Sequence, residues 1–553
     1  MSSGNTAPPL DPITIELIRN VFNATCNEMA ESLIRSSHSP NIKERRDCSC
    51  SLYDVAGEMA VQAEHIPTHL GVMPQALRVI LTDFPVSKIA PGDSFLVNDP
   101  YFGGNHLPDF IVAGPLYLEG RLIGFAASMA HHTDVGGLTP RSMPAKATEI
   151  FQEGLRLPPV QLGRDGKLDP SIARIITANS RLPEERLADL AAQMATIRVA
   201  QNRIDELGRR YSADQIVAAT RYLINASEAA TRDCIRALPE TRWTGTSFAD
   251  FGGELVLLKV TIHKDGDDLI VDFTGTGPQT KSPFNSCLAN TLACVYMALK
   301  VTIAEGIPPN GGMYRVLKVK APEGSILNPS YPAAVSAATQ VSYHTFEALM
   351  QALLPLISSK ALADTGAGGV FSFGGVDPRT GRLFAYGEAL GGGSGASAVA
   401  DGESGMIPPI ANLHDTPVEA LEMQLPIRIE RYELVEGSGG DGRMRGGLGL
   451  RRVFRMLTDV KCSYQISMPF KGPSGLDGGG AARPTHATVH HVDGSNEQIT
   501  AFSEFAVEAG GSMVIESAGG GGYGSSKMRD PAARRADKDG GYLGTGPRID
   551  AAI

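Results

Sequence analysis

Apolar residues recur at steps of three and four in several long stretches of the chain, which is the spacing of a helix with one buried face. The first stretch begins after Asp11, a residue type that caps helices, and Pro12, which suits a first helical position; it runs to about Ser36. The same spacing predicts helices over residues 69–84, 170–236, 287–304 and 340–362. Helices are therefore expected in both halves of the chain.

Other stretches alternate or are apolar over a few residues, which predicts strands. Residues 48–62, CSCSLYDVAGEMAVQ, indicate a hairpin with its turn at Ala56-Gly57. Residues 92–100, GDSFLVNDP, and residues 121–132, RLIGFAASMAHH, each predict one strand. Helices and mixed strands alternate without a regular βαβ repeat, so we predict an α+β fold. It should be a large, multi-layered mixed α/β structure.

Glycine accounts for 62 of the 553 residues and is dense in the second half, in runs such as ALGGGSGASA and EGSGGDGRMRGGLGL. Apolar strands alternate with these runs, so we expect tight turns in an ordered region rather than a flexible linker. These patterns divide the chain into an N-terminal α/β metal-site region, a helical region, a mixed α/β region and a C-terminal tail expected at the surface: residues 1–165, 166–238, 239–515 and 516–553.

Composition excludes several classes of protein. The formal net charge of -10 argues against a nucleic-acid-binding surface. No apolar run reaches the roughly 20 residues of a membrane-spanning helix, and the N-terminal sequence MSSGNTAPPLDP does not resemble a signal peptide. The seven cysteines are scattered, which fits reduced thiols better than a disulfide framework. We therefore expect a cytoplasmic protein that binds a small molecule.

Two short motifs combine histidine, aspartate and glycine: NDPYFGGNHLPDF at residues 98–110 and MAHHTDVGG at residues 129–137. In the first, His106 and Asp109 lie on a loop whose glycines and prolines restrict its path. His131 ends the next predicted strand. If that strand returns beside the first, the two strand ends lie about 5 Å apart. Imidazoles and carboxylates that converge in this way can hold a divalent metal.

Further polar residues could complete the site. Asp47 directly precedes the predicted hairpin and is a reasonable fourth ligand, while His132 and Asp134 could contact the ligands or the substrate. Six of the 12 histidines fall between positions 38 and 132, and this clustering favours a shared site. Each residue also has a simpler interpretation, because a histidine or aspartate in a glycine-rich loop is often part of a turn. Spacing alone therefore makes the metal site a hypothesis.

Many long motifs in one order extend this picture over nearly the whole chain. They include ERRDCSCSLYD, AEHIPTHLG, GDSFLVNDPYFGGNHLPDF, MAHHTDVGG, VDFTGTGPQ, HDTPVEALE and YELVEGSGGDGRMRGGLGL. With these motifs the chain resembles the hydantoinase B/oxoprolinase family, the metal-site subunits of ATP-dependent hydantoinases, caprolactamase-type enzymes and acetone or acetophenone carboxylases. The resemblance implies that zinc, or alternatively manganese, is held by His106, Asp109 and His131, with Asp47 as the fourth ligand.

The resemblance also implies a division of labour between two subunits. A hydantoinase A-like partner would use ATP to phosphorylate the amide oxygen of a ring, and metal-activated water would add at the carbon, with His132 or Asp134 taking the proton. The chain itself carries no P-loop, because GTGPQTKS at residues 275–282 has Thr280 in place of the required glycine. We therefore predict a cyclic amide hydrolase that forms a heterotetramer with two copies of each chain.

Two other functions stay open. The chain could be the matching subunit of an ATP-dependent ketone carboxylase, in which the ion would position bicarbonate. It could also be a non-catalytic scaffold with a structural metal. Glu149 and Glu153, in the segment TEIFQEG, could act as a base or hold the structure together, and we favour the structural role.

Overall fold

The computed structural model describes residues 10–63, 65–251, 255–357 and 360–543. The helices in these ranges are α1 (Pro12–Ser36), α2 (Pro40–Lys43), α3 (Pro67–Asp83), α4 (Pro170–Ala178), α5 (Pro183–Gly208), α6 (Ala213–Ala237), α7 (Leu288–Thr302), α8 (Gly311–Arg315), α9 (Ala338–Ile357), α10 (Val418–Gln424) and α11 (Pro531–Asp539). The strands up to residue 320 are β1 (Cys48–Tyr53), β2 (Met59–Gln62), β3 (Ser94–Val97), β4 (Asp109–Leu118), β5 (Arg121–His131), β6 (Val160–Arg164), β7 (Lys167–Leu168), β8 (Arg242–Asp250), β9 (Leu255–Asp265), β10 (Asp268–Asp272) and β11 (Leu317–Lys320). The later strands are β12 (Ala367–Val376), β13 (Leu383–Gly391), β14 (Ile427–Leu434), β15 (Leu450–Met456), β16 (Val460–Ile466), β17 (His486–His490), β18 (Asn496–Gln498), β19 (Ser503–Val507) and β20 (Ser512–Glu516).

The strands of the described residues form four sheets. The first sheet has seven strands in the order β2-β1-β5-β4-β3-β6-β7, and the second has the order β11-β10-β9-β8. The third and fourth have the orders β13-β12-β16-β19 and β14-β15-β20-β17-β18, and their inner faces share one hydrophobic core. Several sheets with helices packed between them confirm the predicted α+β class.

Helices cover both faces of the seven-stranded sheet. On one face α1, α5 and α6 share a core that contains Phe22, Ala126 and Ala200. On the other face α3 and α7 share a core that contains Met73 and Met129. Because both faces are buried, strand residues of either parity are apolar, which explains why these strands are continuous hydrophobic runs in the sequence.

Most of the predicted elements are confirmed. α1 begins after Asp11, whose Oδ1 accepts the Thr14 N–H at 3.0 Å, and it ends at Ser36 as expected. β1 and β2 form the predicted antiparallel hairpin, with Gly57 in the turn at a φ of +80°. The helical block resolves into α4, α5 and α6.

One strand next to the candidate site was not predicted from the sequence. β4 begins inside the first histidine motif and lies between β3 and β5, so the expectation that the two predicted strands are neighbours is wrong. The strand is hard to recognise because it contains Gly114 and Pro115, two residue types that are rare in strands. Gly114 is needed at this position, since a Cβ there would lie 2.8 Å from Ile197 Cδ1 and 2.9 Å from the Asp93 carbonyl oxygen.

The glycine-rich runs are ordered, as predicted, but few of their glycines form tight turns. Irregular backbone segments lie side by side and exchange hydrogen bonds: Gly440 N–H donates to Gly520, Gly520 N–H to Gly447, and Gly446 N–H to Gly440, each at 2.9 Å. A Cβ on Gly446 would lie 1.7 Å from the Gly520 carbonyl oxygen. Glycine is therefore required here for the close approach of backbones rather than for left-handed φ angles.

The start of the predicted tail belongs to this glycine-rich bundle. Residues 518–522 are buried between the other segments, which corrects the expectation that the chain lies on the surface from residue 516. Residues 531–539 form α11, and the predicted tail beyond residue 543 lies outside the described residues. Among the helices that are described, none is long and apolar enough to cross a bilayer.

Candidate metal centre

The candidate site lies at one end of the interior strands of the seven-stranded sheet, where β4 begins and β5 ends. Asp109, the first residue of β4, is paired with His131, the last residue of β5, in antiparallel register. The His131 N–H donates to the carbonyl oxygen of Asp47 at 3.0 Å, which brings the residue before β1 to the same end of the sheet. Asp109 and His131 lie on the face covered by α3, because Ile111 and Met129, two residues further along each strand, belong to the α3 core.

The loop before β4 is held in one path by its own polar groups. Asn98 Nδ2 donates to the Leu107 carbonyl oxygen at 2.6 Å, and Asn98 Oδ1 accepts the Leu157 N–H at 2.7 Å. Gly103 has a φ of +87°, a left-handed conformation that a side chain would strain. The loop therefore presents His106 to the start of β4 from a fixed backbone.

Three buried side chains converge at this point. His106 Nε2 lies 3.0 Å from Asp109 Oδ2, and His131 Nδ1 lies 2.9 Å from Asp109 Oδ1 and 3.2 Å from His106 Nε2. Zinc bonds of about 2.1 Å in tetrahedral geometry place neighbouring ligand atoms about 3.4 Å apart. The three side chains thus need to move by only a few tenths of an ångström to hold an ion, and this donor set fits a divalent metal.

Neighbouring groups fix the orientation of the cluster. His106 Nδ1 lies 3.3 Å from the Ser336 carbonyl oxygen, so a proton on Nδ1 leaves Nε2 free to bind a metal. The Ser336 N–H in turn donates to Glu153 Oε1 at 2.7 Å. Asn105 Nδ2 donates to Asp109 Oδ2 at 2.8 Å. Glu153 therefore acts on the site through the backbone that contacts His106, which agrees with the structural role expected for it.

The electrostatic environment favours the ligand forms of two of the three residues. Burial alone would raise the pKa of Asp109, but the neighbouring imidazoles, His106 first, hold it well below its usual value. Burial lowers the pKa of His131 to about 4. Burial also lowers the pKa of His106, but Asp109 and Asp47 outweigh it and the net shift is upward. An ionised Asp109 and a neutral His131 are the forms that bind metals.

Two more residues compete for the fourth ligand position. Asp47 Oδ1 lies 3.6 Å from His69 Nε2, which lies 3.8 Å from Asp109 Oδ2. With the two cluster histidines, Asp47 and His69 line a small cavity of about 50 Å³. The sequence does not single out His69 as a ligand. The available signal is its membership of the histidine cluster between residues 38 and 132.

His132 lies on the opposite face of the sheet from this cluster. Its Nε2 is 2.8 Å from Gln193 Oε1 of α5, and its ring packs on Phe110 with centroids 4.4 Å apart. Burial lowers the pKa of His132 to about 3. Because adjacent strand residues point to opposite faces, a His131 side chain in the cluster directs His132 away from it. The structure does not bring the predicted proton acceptor to the metal side.

The Asp134 carboxylate also makes its contacts away from the metal cluster. Its Oδ2 accepts the Arg141 N–H at 3.0 Å and lies 2.9 Å from Arg181 Nη1, while its Oδ1 accepts the N–H groups of Gly136 and Arg181. These contacts fix the turn that leads from β5 to Arg141. Arg141 lines the same small cavity as the two cluster histidines. No signal in the sequence marks it, because an arginine between Pro140 and Ser142 is typical of an ordinary surface turn.

Removal of Glu153 should weaken metal binding without touching a ligand. Glu153→Ala leaves the Ser336 N–H without its acceptor and frees the carbonyl that contacts His106, so we expect a zinc affinity about 10- to 100-fold lower. Glu153→Gln keeps a carbonyl oxygen at Oε1 and should stay within about threefold of the unmodified chain. Competition with a chromophoric chelator measures both values. Equal zinc affinities for the two variants would show that the Glu153 carboxylate does not help to position His106.

Known proteins share this fold and much of this sequence. The hydantoinase B/oxoprolinase profile matches residues 11–526. A D-/L-hydantoinase subunit from Pseudomonas sp. strain NS671 is 30% identical over 558 residues, which cover 97% of this chain and 93% of the relative. The crystal structure of the ATP-dependent caprolactamase from Pseudomonas jessenii is 28% identical and superimposes with a TM-score of 0.88, covering 97% of this chain and 95% of that one.

A more distant structure agrees in fold alone. An acetone carboxylase is 18% identical and superimposes with a TM-score of 0.87 over 96% of this chain and 78% of its own. The profile match, by contrast, extends over nearly the full sequence and includes the loop, β4 and β5 that form the candidate metal centre. The chain belongs to the hydantoinase B/oxoprolinase family.

Proposed function

We propose that this chain is the metal-bearing subunit of an ATP-dependent hydrolase that opens cyclic amides such as hydantoins, 5-oxoproline or lactams. The observation that carries the proposal is the buried cluster of His106, Asp109 and His131, whose ligand atoms lie within 4.8 Å of one another. Among the relatives, one is named as a hydantoinase subunit and another as an ATP-dependent caprolactamase. Both names describe enzymes that act on ring amides.

The three cluster residues would hold the metal, with Asp47 or His69 in a fourth position. Two imidazole nitrogens and one or two carboxylate oxygens suit zinc, and manganese is the alternative because it accepts oxygen-rich sites. When bound, such an ion lowers the pKa of water toward neutrality or polarises a carbonyl group. Asp109 carries the charge of the site, and Ser336 and Asn105 keep the ligands aimed at one centre.

The chemistry of a ring amide explains why ATP is needed. In our proposal the amide oxygen attacks the γ-phosphorus of ATP and ADP leaves. Water then adds at the carbon, the ring C–N bond breaks, and the nitrogen takes up a proton, leaving as an amine from a lactam or 5-oxoproline and as the NH₂ of a urea group from a hydantoin. The acyl phosphate that remains consumes a second water and releases phosphate. In total, the ring amide, ATP and two waters give the ring-opened acid, ADP and phosphate; this acid is an amino acid from a lactam or 5-oxoproline and an N-carbamoyl amino acid from a hydantoin.

A second chain is needed for the ATP step. The sequence has no P-loop, and the related hydantoinase chain is named as one subunit of its enzyme. We propose a hydantoinase A-like ATP-binding partner in a cytoplasmic heterotetramer with two copies of each chain. Mass measurement of the purified complex tests this stoichiometry.

An assay of the reconstituted complex tests the function. With partner, ATP and zinc, the complex should open at least one of hydantoin, 5-oxoproline and caprolactam and release ADP in step with the ring-opened acid. Omission of either chain should abolish formation of this acid. Parallel assays with acetone or acetophenone plus bicarbonate test the rival ketone carboxylase. Carboxylation without ring opening would contradict the proposed hydrolase and favour the ketone carboxylase.

A further inference from the structure

The small cavity beside the metal cluster is lined by a buried cation, Arg141, that forms no ion pair within the described part of the chain. Arg141 is 3% exposed, and no described residue accepts a hydrogen bond from its Nε or Nη1. A guanidinium carries five N–H donors and stays charged, so leaving it buried and unpaired is costly. A ligand that supplies the missing acceptors would explain why such a group is retained.

The backbone around Arg141 holds it in a strained conformation. Arg141 and Ser142 have φ angles of +71° and +59°, values that residues with side chains rarely adopt. The Asp134 carboxylate accepts the Arg141 N–H, and Ser142 Oγ accepts the Val135 N–H at 2.8 Å. Gly387 leaves room for the side chain, because a Cβ there would lie 2.3 Å from Arg141 Cδ. The fold therefore maintains this placement at a cost.

The charged groups around the cavity do not pair with Arg141. Arg45 is buried nearby, and its guanidinium faces the carbonyl oxygens of Gly387, Ala389 and His414. Glu388 is engaged by the hydroxyl of Tyr386 at 2.8 Å and by Arg452 at 2.9 Å. Asp47 lines the same cavity but makes no ion pair with Arg141 within 4.0 Å among the described residues.

We propose that Arg141 binds the anionic phosphoryl group of the activated substrate beside the metal cluster. This inference rests on the proposed function. A planar guanidinium fork matches the oxygens of a phosphoryl group, and Nε and Nη1 of Arg141 are without an acceptor among the described residues. The cavity of about 50 Å³ admits a compact polar group rather than a ring. The phosphorylated amide oxygen therefore enters it, and Asp134 acts as a positioning residue for Arg141.

Inorganic phosphate provides a probe that needs no turnover. We expect the zinc-loaded full chain to bind phosphate in a calorimetric titration and Arg141→Met to bind it at least about tenfold more weakly, with unchanged zinc content. Arg141→Lys keeps the charge without the fork and should fall between the two. Arg164→Met removes an exposed arginine of β6 and should bind phosphate normally.

Thermal unfolding separates this role from a structural one. Removal of an unpaired buried charge should leave the phosphate-free protein as stable as before or raise its unfolding temperature, whereas loss of a structural arginine would lower it. Wild-type phosphate affinity in Arg141→Met overturns the inference, as does a lower unfolding temperature in both Arg141 variants.

Substrate kinetics separate the inference from the proposed function. In a complex that opens rings, Arg141→Met should impair turnover while zinc content stays constant. Unchanged kcat, KM and phosphate affinity would contradict the role of Arg141 and leave the proposed function intact. If the complex opens no ring but Arg141→Met still weakens phosphate binding, the anion site stands and the proposed substrate class is wrong.

Discussion

In the proposed cyclic amide hydrolase, a complex that carries His106→Ala should fold, lose most of its metal and turn over at least about 1,000-fold more slowly, a loss of roughly 4 kcal/mol of transition-state stabilisation. The expected effect is large because His106 Nε2 lies against both Asp109 and His131, at 3.0 and 3.2 Å. Without it, one imidazole and one carboxylate of the cluster remain, and with Asp47 or His69 in the fourth position the site offers three ligands in place of four, which weakens the binding of zinc.

The measurement needs metal content, turnover and unfolding temperature for the same preparations. His490→Ala is a matched control, because His490 is an exposed histidine of β17 far along the chain from the cluster. It should retain full metal content and activity. If His106→Ala keeps its turnover while its unfolding temperature falls, the metal is structural and the chain acts as a scaffold.

The fold was predictable where a single local pattern decides the structure. The cap at Asp11, the helical spacing that follows it and the turn at Gly57 each depend on residues close together in the sequence, and all three are confirmed. β4 depends on distant partners. Only glycine fits at position 114, because Ile197 of α5 and the Asp93 carbonyl oxygen leave no room for a Cβ. This crowding cannot be seen from local composition.

The candidate site was predictable in part, because polar residues near the ends of strands can be recognised in the sequence. His106, Asp109 and His131 were recognisable as a set, and the structure places them together. Alternation along β5 could also have warned that His131 and His132 point to opposite faces of the sheet. The placement of His69 and Arg141 depends on how α3 and the turn after β5 pack against that sheet. For His69 the signal in the sequence is its membership of the histidine cluster, and for Arg141 there is none.

The glycine-rich bundle supports the second half of the fold, and one added methyl group should disrupt it. Gly446→Ala is expected to destabilise the protein by about 3 to 5 kcal/mol or to prevent soluble expression. Its Cβ would lie 1.7 Å from the Gly520 carbonyl oxygen and 2.4 Å from the Gly520 carbonyl carbon, which are backbone atoms that cannot rotate away. Separation of the two segments would also strain the hydrogen bond from Gly440 to Gly520.

Gly306→Ala is the matched control for this substitution. Apart from the chain neighbours of Gly306, no described atom lies within 4 Å of a Cβ there, and its backbone is not left-handed, so the change in unfolding free energy should stay below about 1 kcal/mol. Chemical denaturation of both variants gives the comparison. If glycines served this region only as flexible spacers, the two substitutions would have similar small effects. A large effect at Gly446 alone means that the close packing of backbones selects glycine there.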